Sequence, residues 1–271
     1  MLIENTLFGE VNKVQEAIDL IKEHEPPNGY YVCFSGGKDS IVIYDLCKKA
    51  NVKFTVHYNV TTVDPPELIY FIRKYYPEVW ENRNTPKMPM WQLVEKKVIF
   101  PTRRFRYCCA VLKEQGGKGY DVVTGVRAEE SSRRAKRKQY EQKNDDKNNY
   151  YCHPIFYWTS DDVWEYIRSN DLPYCKLYDE GYDRIGCILC PYQSGWKFER
   201  DMKRYPKYVE NYIKAADRGI KRRIREKEKA TPPWKDGQEM FEWWRKGMHK
   251  TTIAASCDSV PLFSEDDGSV L

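Results

Sequence analysis

The hexapeptide Ser35-Gly36-Gly37-Lys38-Asp39-Ser40 gathers the parts of a phosphate site into one short stretch. Gly36 and Gly37 let the backbone turn tightly and aim N–H groups at an anion. Lys38 can reach a phosphate oxygen, Ser35 and Ser40 offer hydroxyls, and Asp39 can cap a helix or help hold Mg²⁺. A bare pair of glycines would mean only a strand-to-helix turn. The complete string, set between an apolar run and a helical one, makes a phosphate loop the better reading. It is not a Walker A loop, because G-x-x-x-x-G-K-[ST] is absent. The second group is sulfur: of nine cysteines, Cys108 and Cys109 are adjacent, and Cys187 and Cys190 form a C-x-x-C. An odd number of cysteines in a chain expected to be cytoplasmic argues against a disulfide framework.

Several elements must position these residues. Val11 to Glu23 reads as an amphipathic helix, broken by Pro26-Pro27-Asn28-Gly29. Tyr30 to Phe34 is the first strand, leading into the phosphate loop, and Lys38 to Ala50 is the helix after it. Lys53 to Tyr58 is a second strand, Pro65 starts a helix through Tyr75, and Tyr120 to Val126 is a third strand. Strand and helix alternate, which predicts an α/β fold with a mostly parallel sheet and helices on both faces. Arg127 to Asn149 is polar and charged and reads as a loop or mobile segment. Thr159-Ser160-Asp161-Asp162 resembles a capping box opening a helix at Val163. From Cys190 to Lys250 the pattern is helical, aromatic and basic, split at Pro232-Pro233, and Ala254 to Leu271 reads as a loose tail. The expected organisation is residues 1–195 for the nucleotide domain, 196–250 for a basic helical extension, and 251–271 for the tail.

The 271 residues are 41% hydrophobic and 31% charged, as in a globular chain, with a net charge of +5. No apolar run approaches a membrane span and the first residues do not begin a signal peptide, so a cytoplasmic location is expected. Between Lys197 and Lys250 there are 17 basic residues against 9 acidic ones. That excess hints at a polyanionic partner, although a solvated helical face explains it as well. Trp196, Trp234, Trp243 and Trp244, with Lys221-Arg222-Arg223, could form a nucleic-acid surface or a helical core.

Together these residues carry a resemblance. "SGGKDS" after the first strand looks like the PP-loop of the ATP-pyrophosphatase superfamily. "RYCC" (Arg106 to Cys109), "TGVRAEESSRR" (Thr124 to Arg134), "DDVWEYI" (Asp161 to Ile167) and "LYDEGYDRIGCILCP" (Leu177 to Pro191) follow in an order that resembles the phosphoadenosine-phosphosulfate (PAPS) reductase family. The resemblance spans Tyr30 to Pro191. It implies a PP-loop (adenine nucleotide alpha hydrolase-like) domain in which Ser35, Gly36, Gly37, Lys38, Asp39 and Ser40 hold the phosphate end of a nucleotide. Gly125 and Arg127 match the family's G-x-R, whose arginine meets the same anion, with Glu130, Ser131 and Arg134 continuing that wall; a planar guanidinium pairs bidentately with phosphate oxygens. It also implies, from the family's iron–sulfur branch, that Cys108, Cys109, Cys187 and Cys190 hold a [4Fe–4S] cluster, with tetrahedral zinc as the chemical rival. Gly186 would allow the tight turn of that ligand loop.

Two departures shape the functional expectation. Sulfonucleotide reductases of the family commonly carry a degenerate phosphate loop, whereas this one is intact, as in enzymes that cleave ATP to AMP and pyrophosphate. Those reductases also place a nucleophilic cysteine in a C-terminal Glu-Cys-Gly-Leu-His motif, whereas here Cys257 sits in "AASCDSV". Three readings follow. The first is a Mg·ATP-dependent sulfur-transfer enzyme with Lys38, Asp39 and Arg127 at the reacting phosphates. Its acceptor would be tRNA or DNA, and its sulfur donor a protein such as a cysteine desulfurase. The second is a sulfonucleotide reductase using Cys257 and thioredoxin. The third is a non-catalytic nucleotide- and metal-binding subunit of a modification complex.

Overall fold

The structure, a computed structural model, describes residues 1–6, 9–114, 116–144, 146–226 and 233–254. In chain order a short hairpin, β1 (Ile3–Thr6) and β2 (Gly9–Asn12), precedes α1 (Lys13–Glu23). β3 (Tyr30–Phe34), α2 (Lys38–Ala50), β4 (Phe54–Tyr58), α3 (Pro66–Tyr75) and α4 (Pro77–Glu81) follow. Then come α5 (Met90–Lys97), α6 (Tyr107–Leu112), β5 (Val122–Val123), α7 (Ser132–Ala135), β6 (Tyr140–Gln142) and β7 (Tyr150–Cys152). The chain closes with α8 (Ser160–Ser169), α9 (Gly195–Arg204), α10 (Pro206–Arg225) and α11 (Gly237–Ala254). None of the described helices is long and apolar enough to cross a membrane.

The chain packs as two compact units, so residues 1–195 contribute to both. The first unit comprises 1–60, 65–85 and 115–186, and holds a five-stranded sheet of order β4-β3-β5-β7-β6. Its first four strands are parallel, and β6 runs antiparallel to β7. The expected mostly parallel α/β architecture is therefore present. β3 is paired on both edges, and its residues are nearly all buried, which is why it reads as an unbroken apolar run. α2 packs against both α1 and α8, and nine of its thirteen residues are buried.

Several local expectations change. Helix α1 starts at Lys13, not Val11, because the Asn12 side chain caps it by accepting from Val14 and Gln15. The third strand shrinks to Val122–Val123. Within 127–149, expected as a loop, the described residues form a 3₁₀ turn (Ala128–Glu130), α7 and β6, with turn and irregular chain between and after them. The box at Thr159 is present in full: its hydroxyl accepts from Asp162 N–H, and the Asp162 carboxylate accepts from Thr159 N–H.

The second unit comprises 61–64, 86–114 and 187–271. Its described part is helical, with α5 and α11 packed on α10 around Phe100, Phe198, Tyr212, Phe241 and Trp244. The four singled-out cysteines all belong to this unit. Of the expected tail, 251–271, only residues 251–254 are described, as the end of α11.

Candidate functional site

The phosphate loop leaves the carboxyl end of β3, and Thr124 to Arg127 leave the carboxyl end of its parallel neighbour β5. The connection from β3 runs to β4 on one side, while the chain re-enters the sheet at β5 on the other. Such a switch point opens a crevice beyond the strand ends, where α/β sheets bind ligands. Gly36 sits at φ +71°, and a Cβ there would lie 2.6 Å from Leu68 Cδ1 and 3.0 Å from Ile72 Cδ1. Only glycine meets both demands. Gly37 has an ordinary extended backbone and opens α2, so the first N–H groups of the helix face the crevice.

The two serines tie the loop to itself. The Ser35 N–H donates to Ser40 Oγ at 3.1 Å, and Ser40 Oγ donates to the Gly37 carbonyl at 2.8 Å. Gly125 is forced by packing, since a Cβ would lie 2.9 Å from Asp39 Cβ. That close approach brings Arg127, only 3% exposed, onto the helix start, where its Nε donates to Asp39 Oδ1 at 2.7 Å and its Nη1 to the Trp158 carbonyl at 3.3 Å. Lys38 is buried too, with Nζ 3.9 Å from Asp39 Oδ2. Two buried cations and the Asp39 carboxylate thus meet at a helix N-terminus, with Glu129 3.5 Å from Arg127 Nη1 beside them, an arrangement able to take a polyanion and a divalent cation together.

One partner in this site was not foreseen. The Lys38 N–H donates to the Tyr178 hydroxyl at 2.8 Å, and Lys38 Nζ donates to the Asp183 carbonyl at 3.4 Å. Tyr178 stands edge-on to Trp164, and burial raises its phenol above the usual range. A neutral hydroxyl therefore occupies the place where an anion would accept the N–H of Lys38. No local spacing signals this, because 140 residues separate donor and acceptor.

Cys108 and Cys109, from α6, and Cys187 and Cys190 line one cavity with Lys113, Thr61 and Tyr212. Gly186 has an ordinary backbone and open space around it, so the turn expected there is made by Leu189, a buried residue at φ +57°. That conformation is held by Ile188 N–H to the Val63 carbonyl at 2.8 Å and by Leu189 N–H to the buried Asp201 carboxylate at 3.4 Å. Cys109 is drawn down to about 5 by the hydrogen bond from Cys108, against burial, with help from Arg106 and Lys113. The same bond, and then burial, push Cys108 up. Burial also raises Cys190, and the charge of Cys187 is the main cause holding the Lys113 ammonium up. Among the described residues no three His, Cys, Asp or Glu side chains are grouped to hold a single metal ion.

Residues 29–193 match the phosphoadenosine phosphosulfate reductase domain. The chain belongs to the PAPS reductase family. It is 33% identical over 189 residues to an uncharacterised protein of Methanocaldococcus jannaschii, covering 66% of this chain and 46% of that protein. It therefore spans less than half the length of that archaeal relative. It is 32% identical over 172 residues to the adenosine 5'-phosphosulfate reductase of Oceanobacillus iheyensis, covering 60% of this chain and 71% of that one. The fold is also that of the phosphoadenylyl-sulfate reductase of Candida auris in its phosphate complex, with a TM-score of 0.51 and 19% identity over 65% of this chain and 89% of that one.

Other residues expected to act in this PAPS reductase-family chain fall differently. Arg134 turns back to Glu130, one helical turn away, and its N–H donates to Ser131 Oγ. Glu130 in turn accepts from the Arg127 N–H at 3.1 Å, so this wall is held together by its own ion pair. Cys257 lies outside the described residues. Trp244 is core, its indole donating to the Pro101 carbonyl at 2.8 Å, and Arg222 and Arg223 bond the Lys96 and Lys97 carbonyls at the end of α5.

Proposed function

We propose that this PAPS reductase-family chain binds Mg·ATP, cleaves it to AMP and pyrophosphate, and uses the adenylated acceptor for sulfur transfer. The observation that carries the reading is the intact loop at the end of β3, where Lys38 and Arg127, both buried, meet around Asp39 at the N-terminus of α2. In the reaction an acceptor oxygen attacks the α-phosphorus, the bond to the bridging oxygen breaks, and pyrophosphate leaves. Lys38, Arg127 and the α2 N–H groups stabilise the charge that builds on the leaving phosphates, the main catalytic term in such transfers. An entering phosphate competes with Asp39 for Arg127, which releases the Asp39 carboxylate to hold Mg²⁺. A persulfide on a sulfur-delivering protein such as a cysteine desulfurase then displaces AMP from the acceptor. A second thiol cleaves the resulting acceptor–S–S–protein bond, leaving the sulfur on the acceptor and a disulfide on the donor side that thiol reductant restores.

Four thiols line one cavity, a donor set that suits a [4Fe–4S] cluster, with tetrahedral zinc as the chemical rival. Cys108, Cys109, Cys187 and Cys190 would hold it, and the bound cluster would supply electron transfer or a site for sulfur. The drawn-down Cys109 thiol suits a ligand that must bind as thiolate. Protein purified without oxygen is expected to contain roughly 4 Fe and 4 sulfide per chain; a colourless chain holding zinc would overturn this part.

The second reading, reduction of adenylyl sulfate or its 3'-phosphate with thioredoxin, is favoured by the Oceanobacillus iheyensis relative, a named adenosine 5'-phosphosulfate reductase. It requires the Cys257 thiol to attack sulfur. Cys257→Ser is harmless to an ATP-cleaving enzyme and abolishes sulfite formation by a reductase.

A further inference from the structure

We propose that the surface built from residues 103–106 and 192–200 is a docking site for single-stranded nucleic acid, with bases stacked on Phe105, Tyr192 and Trp196. The inference rests on the sulfur-transfer reading above and names its acceptor class and acceptor surface. These three rings are 45%, 50% and 59% exposed, in a unit where Phe198 and Trp244 are buried and, of the other described large aromatics, Trp243 is exposed to a similar degree. Leaving three rings in water forgoes burial that the fold obtains elsewhere.

The rings form one patch. Arg103 donates to the Pro191 and Gln193 carbonyls at 3.0 and 3.2 Å, binding the two segments together. The Tyr192 hydroxyl donates to the Arg103 carbonyl at 3.3 Å, and the Arg106 guanidinium lies over the Tyr192 ring at 4.9 Å. Trp196 follows at the start of α9, with Lys197 and Arg200 each 5.4 Å from its ring. Lys97 Nζ lies 5.9 Å from the Phe105 ring, so each ring has a cation beside it, as a strand of alternating bases and phosphates requires.

Charge selects the same partner. Residues 96–106 and 192–204 hold nine basic side chains and two acidic ones. Of those acids, Glu199 is paired with Arg245 at 2.7 Å, and the buried Asp201 lies 3.7 Å from Arg200 Nε, so basic side chains outnumber their acidic partners across the patch. An acidic protein would use these cations, whereas a strand supplies a flat base for each ring and a phosphate for each neighbouring cation. A duplex has its bases stacked on one another, so only an unpaired strand uses rings and cations together. The patch also adjoins the cysteines, since Arg106 hydrogen-bonds Cys109 and the Pro191 that Arg103 holds lines their cavity. This surface keeps Trp196 from the one expected with Lys221-Arg222-Arg223 but not those arginines, of which Arg222 and Arg223 cap α5.

The test is fluorescence anisotropy with the full chain, purified without oxygen and without ATP, titrated into labelled oligothymidylate and oligouridylate. Phe105→Ala, Tyr192→Ala and Trp196→Ala are each expected to weaken binding about tenfold. Arg104→Ala should lower the slope of log K against log salt by about 0.7. The tighter of the DNA and RNA arms identifies the sugar. Variants that bind within about twofold of the parent, or equal competition by a hairpin duplex or by polyglutamate, would overturn the proposal. Pyrophosphate release from ATP is followed separately. ATP cleavage without strand binding rejects this surface alone, and strand binding without ATP cleavage rejects the enzymatic reading alone.

Discussion

Gly36 and Gly37 are neighbours in one loop, yet their replacement by alanine is expected to do different things. At Gly36 an alanine must adopt φ +71°, which costs about 1–2 kcal/mol for an L-residue. Its Cβ would also press on Leu68 and Ile72, 2% and 0% exposed, so neither side chain has room to withdraw. Overpacking of that kind adds about 1–3 kcal/mol. Gly36→Ala should therefore lose about 2–5 kcal/mol, read as a fall in the urea midpoint at unchanged slope. At Gly37 the backbone is extended, and a Cβ would meet Ser35 Oγ at 3.3 Å and Tyr178 Oη at 3.4 Å, both polar atoms of the crevice. Gly37→Ala should shift stability by less than about 1 kcal/mol but weaken pyrophosphate binding, measured by calorimetry. Equal stability losses in the two variants would refute the assignment of Gly36 to the fold and Gly37 to the ligand.

Two further outcomes follow from single contacts. Tyr178→Phe removes the hydroxyl that engages the Lys38 N–H; with one bond of about 0.5–1.5 kcal/mol no longer to be broken, pyrophosphate should bind about 2- to 12-fold more tightly. Weaker binding would show that the hydroxyl contacts the ligand and does not compete with it. His153 is buried and bonded to Thr124 at 2.7 Å, and burial lowers it to about 4 from an ordinary 6.5. The unfolded chain thus takes up the proton first, so this contribution is intact above pH 6.5 and is lost as pH falls toward 4, by about 3 kcal/mol. His153→Gln should flatten that part of the stability profile, and an unchanged profile would remove His153 as its cause.

Local signals carried much of the nucleotide unit. The apolar run at Tyr30 to Phe34, the glycines and the helix from Lys38 to Ala50 were legible because each is governed by neighbours in sequence. Strand β7 was not, since three residues are too few for a pattern and its place depends on pairing with Val122–Val123. The spacing of the cysteines pointed to a shared centre, but the turn between Cys187 and Cys190 depends on Leu189 and on Asp201, held by tertiary contacts. For the same reason Gly186 drew attention that it did not need. Basic and aromatic composition near the C-terminus was visible, but not which members were structural. Arg222, Arg223 and Trp244 are occupied by backbone carbonyls of distant residues, while Phe105 and Tyr192, outside the helical pattern, remain exposed.

The central claim is that the intact loop serves ATP. The most direct measurement is anaerobic incubation of the full chain with Mg·ATP, adenylyl sulfate and 3'-phosphoadenylyl sulfate in parallel, with thioredoxin and a single-stranded acceptor present, following pyrophosphate and sulfite. The account predicts pyrophosphate and AMP from ATP, lost in Lys38→Ala, and no sulfite from either sulfonucleotide. Sulfite formation without pyrophosphate release would contradict it.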